Sequence, residues 1–549
     1  MPDSIYHPQT DSAELQLAER GYKQELPRKL SMMSILGLSF AIMAVPFGIS
    51  TTMSIGLTDG QYVTIFWGWF VVSLISICIS ASLAEICSVF PTSGGVYYWA
   101  AMISPKKWAP LASWVTGWLT LVGNWTVTTS ICFSGGQLIL SSITLWREDF
   151  APNSWQTVLM FWAVMLACAV VNYFFSKYLD LINTACIYWT GSSVIIILVV
   201  LLAMADTRNS GKTVFAHYDA SASGWRPSWA FFVGLLQAAY TLTGYGMVAS
   251  MCEEVQNPEH EVPKGMVLSV AAAGLTGIIY LLPVLFTLPM DKIQYLLEAP
   301  GGMPIGIFFK LVTGSPGGGF GLLFLLLGIL AFAGIGALTA ASRCTYAFAR
   351  DGAIPGSKYW KHVDHRFETP SGGLALSTII CCLLGLIYFG SSAAFNAFTG
   401  VATICLSASY ALPVFISLVQ KRHAVANAPF KLGTILGYFV NIVTVCWILL
   451  ATVLFCMPTA IPVTKETMNY ASVVFMGFFS ISAAWYVAWG RKNFHGPPEI
   501  ANAIKHEIHE FDGINTLGDS EKLDATQENV YVVEGLAPEE EVTRHLSKH

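Results

Sequence analysis

The chain has 549 residues, of which 54% are hydrophobic and only 11% charged, with a formal net charge of -5 and a mean hydropathy of +0.57. A soluble domain carries roughly 25% charged residues, so most of this chain is built for a solvent other than water. The small net charge and the lack of a basic patch with interleaved aromatics give no support to nucleic-acid binding.

The N-terminal stretch 1–30 is polar and has no signal-peptide core, so the first apolar span is expected to act as its own insertion signal. Apolar runs of bilayer length then recur at about 33–57, 62–89, 109–143, 155–176, 180–204, 227–252, 264–289, 318–348, 372–390, 394–419, 433–457 and 469–490. They are numbered spans 1 to 12 below. The expected organisation is a cytoplasmic tail (1–30), a twelve-helix all-α integral membrane body (31–490) and a cytoplasmic C-terminal tail (491–549). With the N-terminus inside, the connections carry 18 Lys and Arg on the inner side against 7 on the outer. That bias places both termini in the cytoplasm. Within the C-terminal tail, Ile500, Ile504 and Ile508 share one helical face. Acidic sequence follows at Glu539, Glu540 and Glu541, and the segment reads as a docking site for trafficking machinery.

Spans 1 and 6 are interrupted. Span 1 reads SFAIMAVPFGISTTMSIGL, with Pro46 and Gly48 followed by Ser50, Thr51 and Thr52, where a reopened helix is expected to start. Span 6 reads LLQAAYTLTGYGMVASMCEE, with Gly244 and Gly246 flanking Tyr245. Proline removes a backbone donor and glycine admits angles that other residues resist. Unwound backbone at membrane depth is tolerated only where it lines a cavity or is buried in protein. Two such spans five apart predict a 5+5 inverted repeat with two further helices, and a substrate site at the breaks. Free N–H groups of a restarted helix suit a carboxylate. The freed carbonyls of the preceding half suit an ammonium. The alternative for each glycine and proline is close helix packing.

Acids within spans are functional candidates by default. Glu85 lies near the end of span 2, Glu253 and Glu254 end span 6, and Arg343 lies toward the end of span 8. At similar depth, the four are expected to form a charged cluster at the inner end, as a gate latch or as plain anchors, with Glu85 also a candidate proton carrier for coupling. Glu253 and Glu254, followed by Pro258 and Pro263, also read as a helix stop and a rigid turn. No acid or lysine lies near the middle of spans 1, 3, 6, 8 or 10, which favours a zwitterion over a polyamine. A quaternary amine held on aromatic faces stays open, with Tyr240, Tyr245, Phe47, Trp125, Phe332 and Phe395 as candidates. Asn124, Thr128, Asn183, Thr190 and Asn396 are uncharged polar positions suited to interhelical hydrogen bonds. The 12 cysteines are scattered as packing residues. No metal-ligand spacing, nucleotide loop or nucleophile–base pair is visible, so no cofactor, metal or enzymatic activity is expected.

Four stretches carry a resemblance to a known family. They are GYKQELPRKLSMMSILGLSFAIM, SLAEICSVFPTSGGVYYWAAMISPKKWAP, TGYGMVASMCEEVQNPEHEVPKGMVLS and ALTAASRCTYAFARDGAIPGS. The chain resembles, over about residues 20–495, the fungal amino acid/GABA/choline permeases of the amino acid–polyamine–organocation superfamily. The resemblance implies alternating access and proton-driven uptake at the plasma membrane or the vacuolar membrane. It carries the substrate-binding role to Val45, Phe47, Gly48, Ile49, Ser50 and Thr51 in span 1. In span 6 it carries that role to Tyr240, Thr241, Thr243, Gly244, Tyr245 and Gly246. Many GABA and choline relatives have an aspartate where Gly246 stands, so an acid introduced there is expected to favour cationic substrates. The expected function is import of a small amine-bearing solute, an amino acid or GABA, with choline or a polyamine as alternatives. A non-transporting nutrient receptor is the alternative of another class.

Overall fold

In the computed structural model, the described residues are 12–147, 149–390, 394–464 and 468–500. The expected C-terminal helix beyond Ile500, the acidic run Glu539–Glu541 and the side chains of Phe395 and Asn396 lie outside them.

The described residues form helices joined by loops, with only two isolated β-bridges, Leu30 to Val255 and Asp364 to Thr369. Among the described residues, eleven helices are long and apolar enough to cross a membrane. They correspond to every expected span except span 3. That segment is the continuous 35-residue helix Ala109–Ile143. Its Ser, Thr, Asn and Gln residues dilute its apolar character, and most of them are buried within the protein. Span boundaries mostly fall within a few residues of those read from sequence, as for Pro316–Arg350 and Thr434–Leu454. Span 7 starts earlier than expected, at Pro258, and runs to Thr287. Pro258 suits the first turn of a helix because its missing N–H has no partner there anyway. Pro263 therefore lies inside span 7 instead of in the turn before it.

Spans 1 and 6 occupy the centre. Their apolar windows are 83% and 89% buried, against 6% for span 12. Span 7 packs on spans 1 and 2, while span 3 packs on spans 4, 8 and 10, and span 8 on span 9. Two helical groups thus flank the central pair.

Both central spans are broken. Span 1 runs as Met32–Met43, reverses at Ala44 (φ 43°) and restarts as Val45–Thr51, then bends at Thr52 into Met53–Thr58. The break precedes Pro46 rather than falling on it, because proline is well suited to the first turn of the restarted helix. Ser50, Thr51 and Thr52 accordingly end the restarted segment instead of beginning it. Span 6 runs as Pro227–Gly234 and Leu236–Thr241 and then loses its helix through Leu242–Gly244. It continues as the ten-residue 3-10 segment Tyr245–Glu254. Gly244 has φ +105°, a conformation open to glycine at little cost.

The segment before span 1 packs on the bundle rather than standing free. Leu17, Tyr22, Leu26 and Leu30 are buried. The Leu30 N–H donates to the Glu254 carbonyl (3.0 Å), and Gln256 N–H donates back to the Leu30 carbonyl (3.2 Å). This end of the bundle is termed the N-terminal face.

A Cβ at Gly244 would lie 2.6 Å from Ile42 Cγ2, so the break of span 6 rests directly on span 1. Gly244→Ala is expected to destabilise the protein by about 1–3 kcal/mol through backbone strain. Gly191→Ala, where an added Cβ meets nothing within 4 Å, is expected to be neutral or slightly stabilising. Unfolding of the two purified variants in mixed micelles checks this.

Candidate functional site

The two breaks are brought together by direct contacts. A Cβ at Gly48 would lie 2.7 Å from Thr241 Cγ2. Gln237 Nε2 of span 6 donates to the Ile49 carbonyl of span 1 (3.1 Å). Ser50 shares a hydrogen bond with Tyr280 of span 7 (2.7 Å). Thr51, Thr241 and Thr243 donate to carbonyls of their own helices. The Tyr240 hydroxyl shares a bond with Ser130 of span 3 (2.7 Å). Val45 and Phe47 are buried in the core. The restarted helix Val45–Thr51 has only seven residues and Pro46 lacks an N–H, so it offers fewer free donors than its sequence suggests.

Tyr245 packs against Tyr410 of span 10, with ring centroids 5.5 Å apart and planes tilted by 38°. Tyr410 is a site-region residue that sequence reading missed. An aromatic with a polar tip in mid-span, three residues before Pro413, was the available signal. It also fills the space beside Gly246, where a Cβ would lie 2.5 Å from the ring. An acid at Gly246 therefore has to displace the Tyr410 ring before it can meet a substrate. The other aromatic candidates are placed differently. Trp125 donates its indole N–H toward Thr345 (3.3 Å) and Ser377 (3.2 Å), between helices. Phe332 is half-buried along span 8. Asn183 donates to Ser34 (3.2 Å) and Thr128 to the Asn124 carbonyl (2.8 Å).

Above the breaks, toward the face opposite the N-terminal one, lies a cavity of about 410 Å³. Its walls include Thr51 and Thr52 of span 1, Gln137 and Ser141 of span 3, Thr157 of span 4 and Thr399 of span 10. Among the described residues no charged side chain lines it. Of the expected binding residues only Thr51 reaches its wall; the rest lie in the packed layer beneath.

At the N-terminal face, the acids pair with arginines. Arg343 Nε donates to Glu254 (2.9 Å), and Arg343 Nη2 to Ser176 (3.1 Å). Nη1 and Nη2 of Arg350 donate to Glu253 (2.9 Å each), which also accepts from the Ser93 N–H (3.1 Å). Glu85 accepts from Arg422 and from the Leu432 N–H (3.1 Å). The expected single cluster of Glu85, Glu253, Glu254 and Arg343 is thus three separate pairs, with Arg350 and Arg422 as partners that sequence reading did not assign. The pairs join spans 6 and 2 to span 8 and to the turn after span 10. The N-terminal segment lies over them: the guanidinium of Arg350 stacks on the Tyr22 ring at 4.0 Å, and the Tyr22 and Tyr97 hydroxyls both donate to Asp351 (2.9 Å). Burial pushes the Asp351 carboxyl up to about 6. Among the described residues no group of His, Cys, Asp and Glu is placed to hold a metal.

Polar breaks packed at the core of a bundle of membrane-length helices define a class: a multi-pass membrane permease. The comparisons are specific. A family model described as amino acid permease matches residues 30–479, and the chain belongs to that family, within the amino acid–polyamine–organocation superfamily. It is 36% identical to the polyamine transporter TPO5 of Saccharomyces cerevisiae, over 92% of this chain and 82% of that protein. It is 35% identical to the amino-acid permease BAT1 of Arabidopsis thaliana, over 91% and 99% of the two chains. It is 30% identical to the choline transporter of Saccharomyces cerevisiae, over 92% and 88%.

Removing one partner of a desolvated ion pair leaves the other charge uncompensated. Glu254→Gln is expected to cost about 3–5 kcal/mol, and Glu254→Gln combined with Arg343→Met to cost less than that single change. Unfolding free energies of the three proteins check the coupling.

Proposed function

We propose that the chain is a secondary transporter that moves a small amine-bearing solute, an amino acid or GABA, into the cytoplasm by alternating access. The observation that carries this reading is the asymmetry of the molecule. An uncharged polar cavity leads to the broken spans from one face, while three buried ion pairs and the N-terminal segment close the other. The excess of Lys and Arg in the connections on the N-terminal side supports a cytoplasmic N-terminal face. The conformation is then closed inward, with its vestibule on the outer side.

In this reading the solute enters past Gln137 and Ser141 and meets the breaks near Thr51. Transport needs spans 1, 2, 6 and 7 to tilt against spans 3, 4, 8, 9 and 10. That movement separates Glu254 from Arg343, Glu253 from Arg350 and Glu85 from Arg422. Each pair is a latch that must exchange its partner for water. The solute shifts the balance between the two states only through its differential affinity for them.

The uncharged walls favour a zwitterion, whose own charges can be met by peptide dipoles, over a polyamine, whose several cations call for carboxylates. The Tyr245–Tyr410 ring pair favours a second reading, a quaternary amine such as choline held by cation–π contact. The names of the relatives, which include polyamine and choline transporters, keep organic cations in view.

Uptake of labelled GABA, neutral amino acids, choline and spermidine by cells expressing the chain, with and without a proton uncoupler, tests the proposal. The expected result is accumulation of a neutral amino acid or GABA that the uncoupler abolishes. Accumulation of choline or spermidine alone overturns the substrate reading. Tyr410→Leu is then expected to lower choline uptake at least tenfold if the ring pair holds the cation, a change of about 1.4 kcal/mol.

A further inference from the structure

The junction between spans 1 and 2 carries an acid that looks like an ordinary loop residue in the sequence. Asp59 follows the last helical turn of span 1, Met53–Thr58, and is 0% exposed. Among the described residues, neither of its carboxylate oxygens has a hydrogen-bond partner. It packs against the first half of span 6, where a Cβ at Gly234 would lie 2.9 Å from the Asp59 Cβ. Thr64 of span 2 donates its hydroxyl to the Asp59 backbone carbonyl (2.8 Å), not to the carboxylate. The adjoining gap between Thr64, Gly234 and Gln237 is too narrow for a water molecule.

Among the described residues, the surrounding titratable groups supply no cation. Tyr218, from the connection between spans 5 and 6, lies over Gly60 and donates its hydroxyl to the Pro227 carbonyl. Its neighbour Asp219 accepts from Gln61 (3.2 Å) and from the Ser221 N–H (2.9 Å). His217 packs on the ring of Tyr62, whose hydroxyl donates to the Leu288 carbonyl (2.8 Å). Each of these groups is engaged elsewhere. An ionised carboxylate at Asp59 gives up hydration and receives nothing in return, so the neutral acid is the form that fits the site.

We propose that Asp59 is a proton-binding site: it holds a proton while the outer halves of spans 1 and 6 are packed together, and releases it when that seam admits water. Both elements that meet at Asp59 belong to the broken spans, so its protonation state acts on the same outer halves that line the path to the breaks. The proton comes from the outer solution and returns to water, with no other bond made or broken. That this proton is coupled to solute movement rests on the transport reading above; that Asp59 holds it does not.

Burial alone pushes the Asp59 carboxyl up to about 8. A raised folded-state value means that the packed seam is favoured fully below the ordinary carboxyl value of about 4. That contribution is lost as pH rises through about 8. Asp59→Asn keeps the shape, stays neutral and removes the dependence.

The test uses the full chain in lipid nanodiscs and reads the infrared C=O band of protonated carboxyl groups during a pH titration, alongside thermal stability. One component of the wild-type band is expected to disappear with a midpoint near 8, while thermal stability falls as pH approaches that value and levels off above it. In Asp59→Asn that component is absent and stability is flat there; in Asp59→Glu a titrating band persists. The proposal is overturned by a component with a midpoint near 8 that survives in Asp59→Asn, or by an Asp59 component with its midpoint in the ordinary carboxyl range; a component near 6 common to both proteins belongs to Asp351. It is also overturned if sodium, at constant pH and ionic strength, displaces the band in wild type and not in Asp59→Asn, which makes the site a metal-cation site. Normal Asp59 titration with uncoupler-insensitive uptake leaves the proton site intact and removes the coupling.

Discussion

The amide of Gln237 donating to the carbonyl of Ile49 (3.1 Å) represents the constraint on which the rest of the molecule depends. A helix broken at membrane depth exposes peptide groups that lipid cannot satisfy, and each unsatisfied group costs several kcal/mol. Two broken spans solve the problem by facing one another at the centre, surrounded by the other helices. Gly48 lets Thr241 approach, Gly244 lies on Ile42, and Ser50 reaches Tyr280. This central position follows from the breaks themselves. A continuous helix such as span 11, Thr434–Leu454, can lie nearer the periphery because its backbone bonds close within the helix.

From that centre the two ends diverge chemically. One end has hydroxyls and amides around a cavity. The other has arginine–glutamate pairs, whose side chains are at most 15% exposed. Buried pairs of this kind add little net stability over apolar packing, yet leaving one half unpaired is costly. They therefore suit a device that is either fully engaged or fully hydrated. The Tyr22 ring over Arg350, and the Leu30 backbone bonded to residues 254 and 256, make the N-terminal segment part of that closed end.

The fold was largely legible because its signals are local. Span lengths, the polarity of the connections and the family motifs need no long-range information, and the interruptions of spans 1 and 6 are visible as Pro46, Gly48, Gly244 and Gly246. The placement of the span 1 break at Ala44 was not legible. Proline marks a helix start as readily as a break, and only the packing of Ile42 on Gly244 selects between them. The acids Glu85, Glu253 and Glu254 could be singled out by their cost in a membrane. Their partners could not, because Arg350 and Arg422 lie 97 and 337 residues away along the chain.

What the sequence by itself determined is therefore the class: an all-α permease with two interrupted spans and with acids concentrated near one end. Composition and periodicity decide the helices and their interruptions, since solvent and helix geometry act residue by residue; the reading as a permease comes from the motif resemblance. The tertiary structure alone decided which side chains meet. It set Tyr410 against Gly246 and Tyr245, split the acids into three pairs and sealed Asp59 behind Gly234 without a partner. Those outcomes depend on contacts between distant segments. Burial, which leaves a loop aspartate unpartnered among the described residues and sets each arginine against a glutamate, is a property of the assembled bundle.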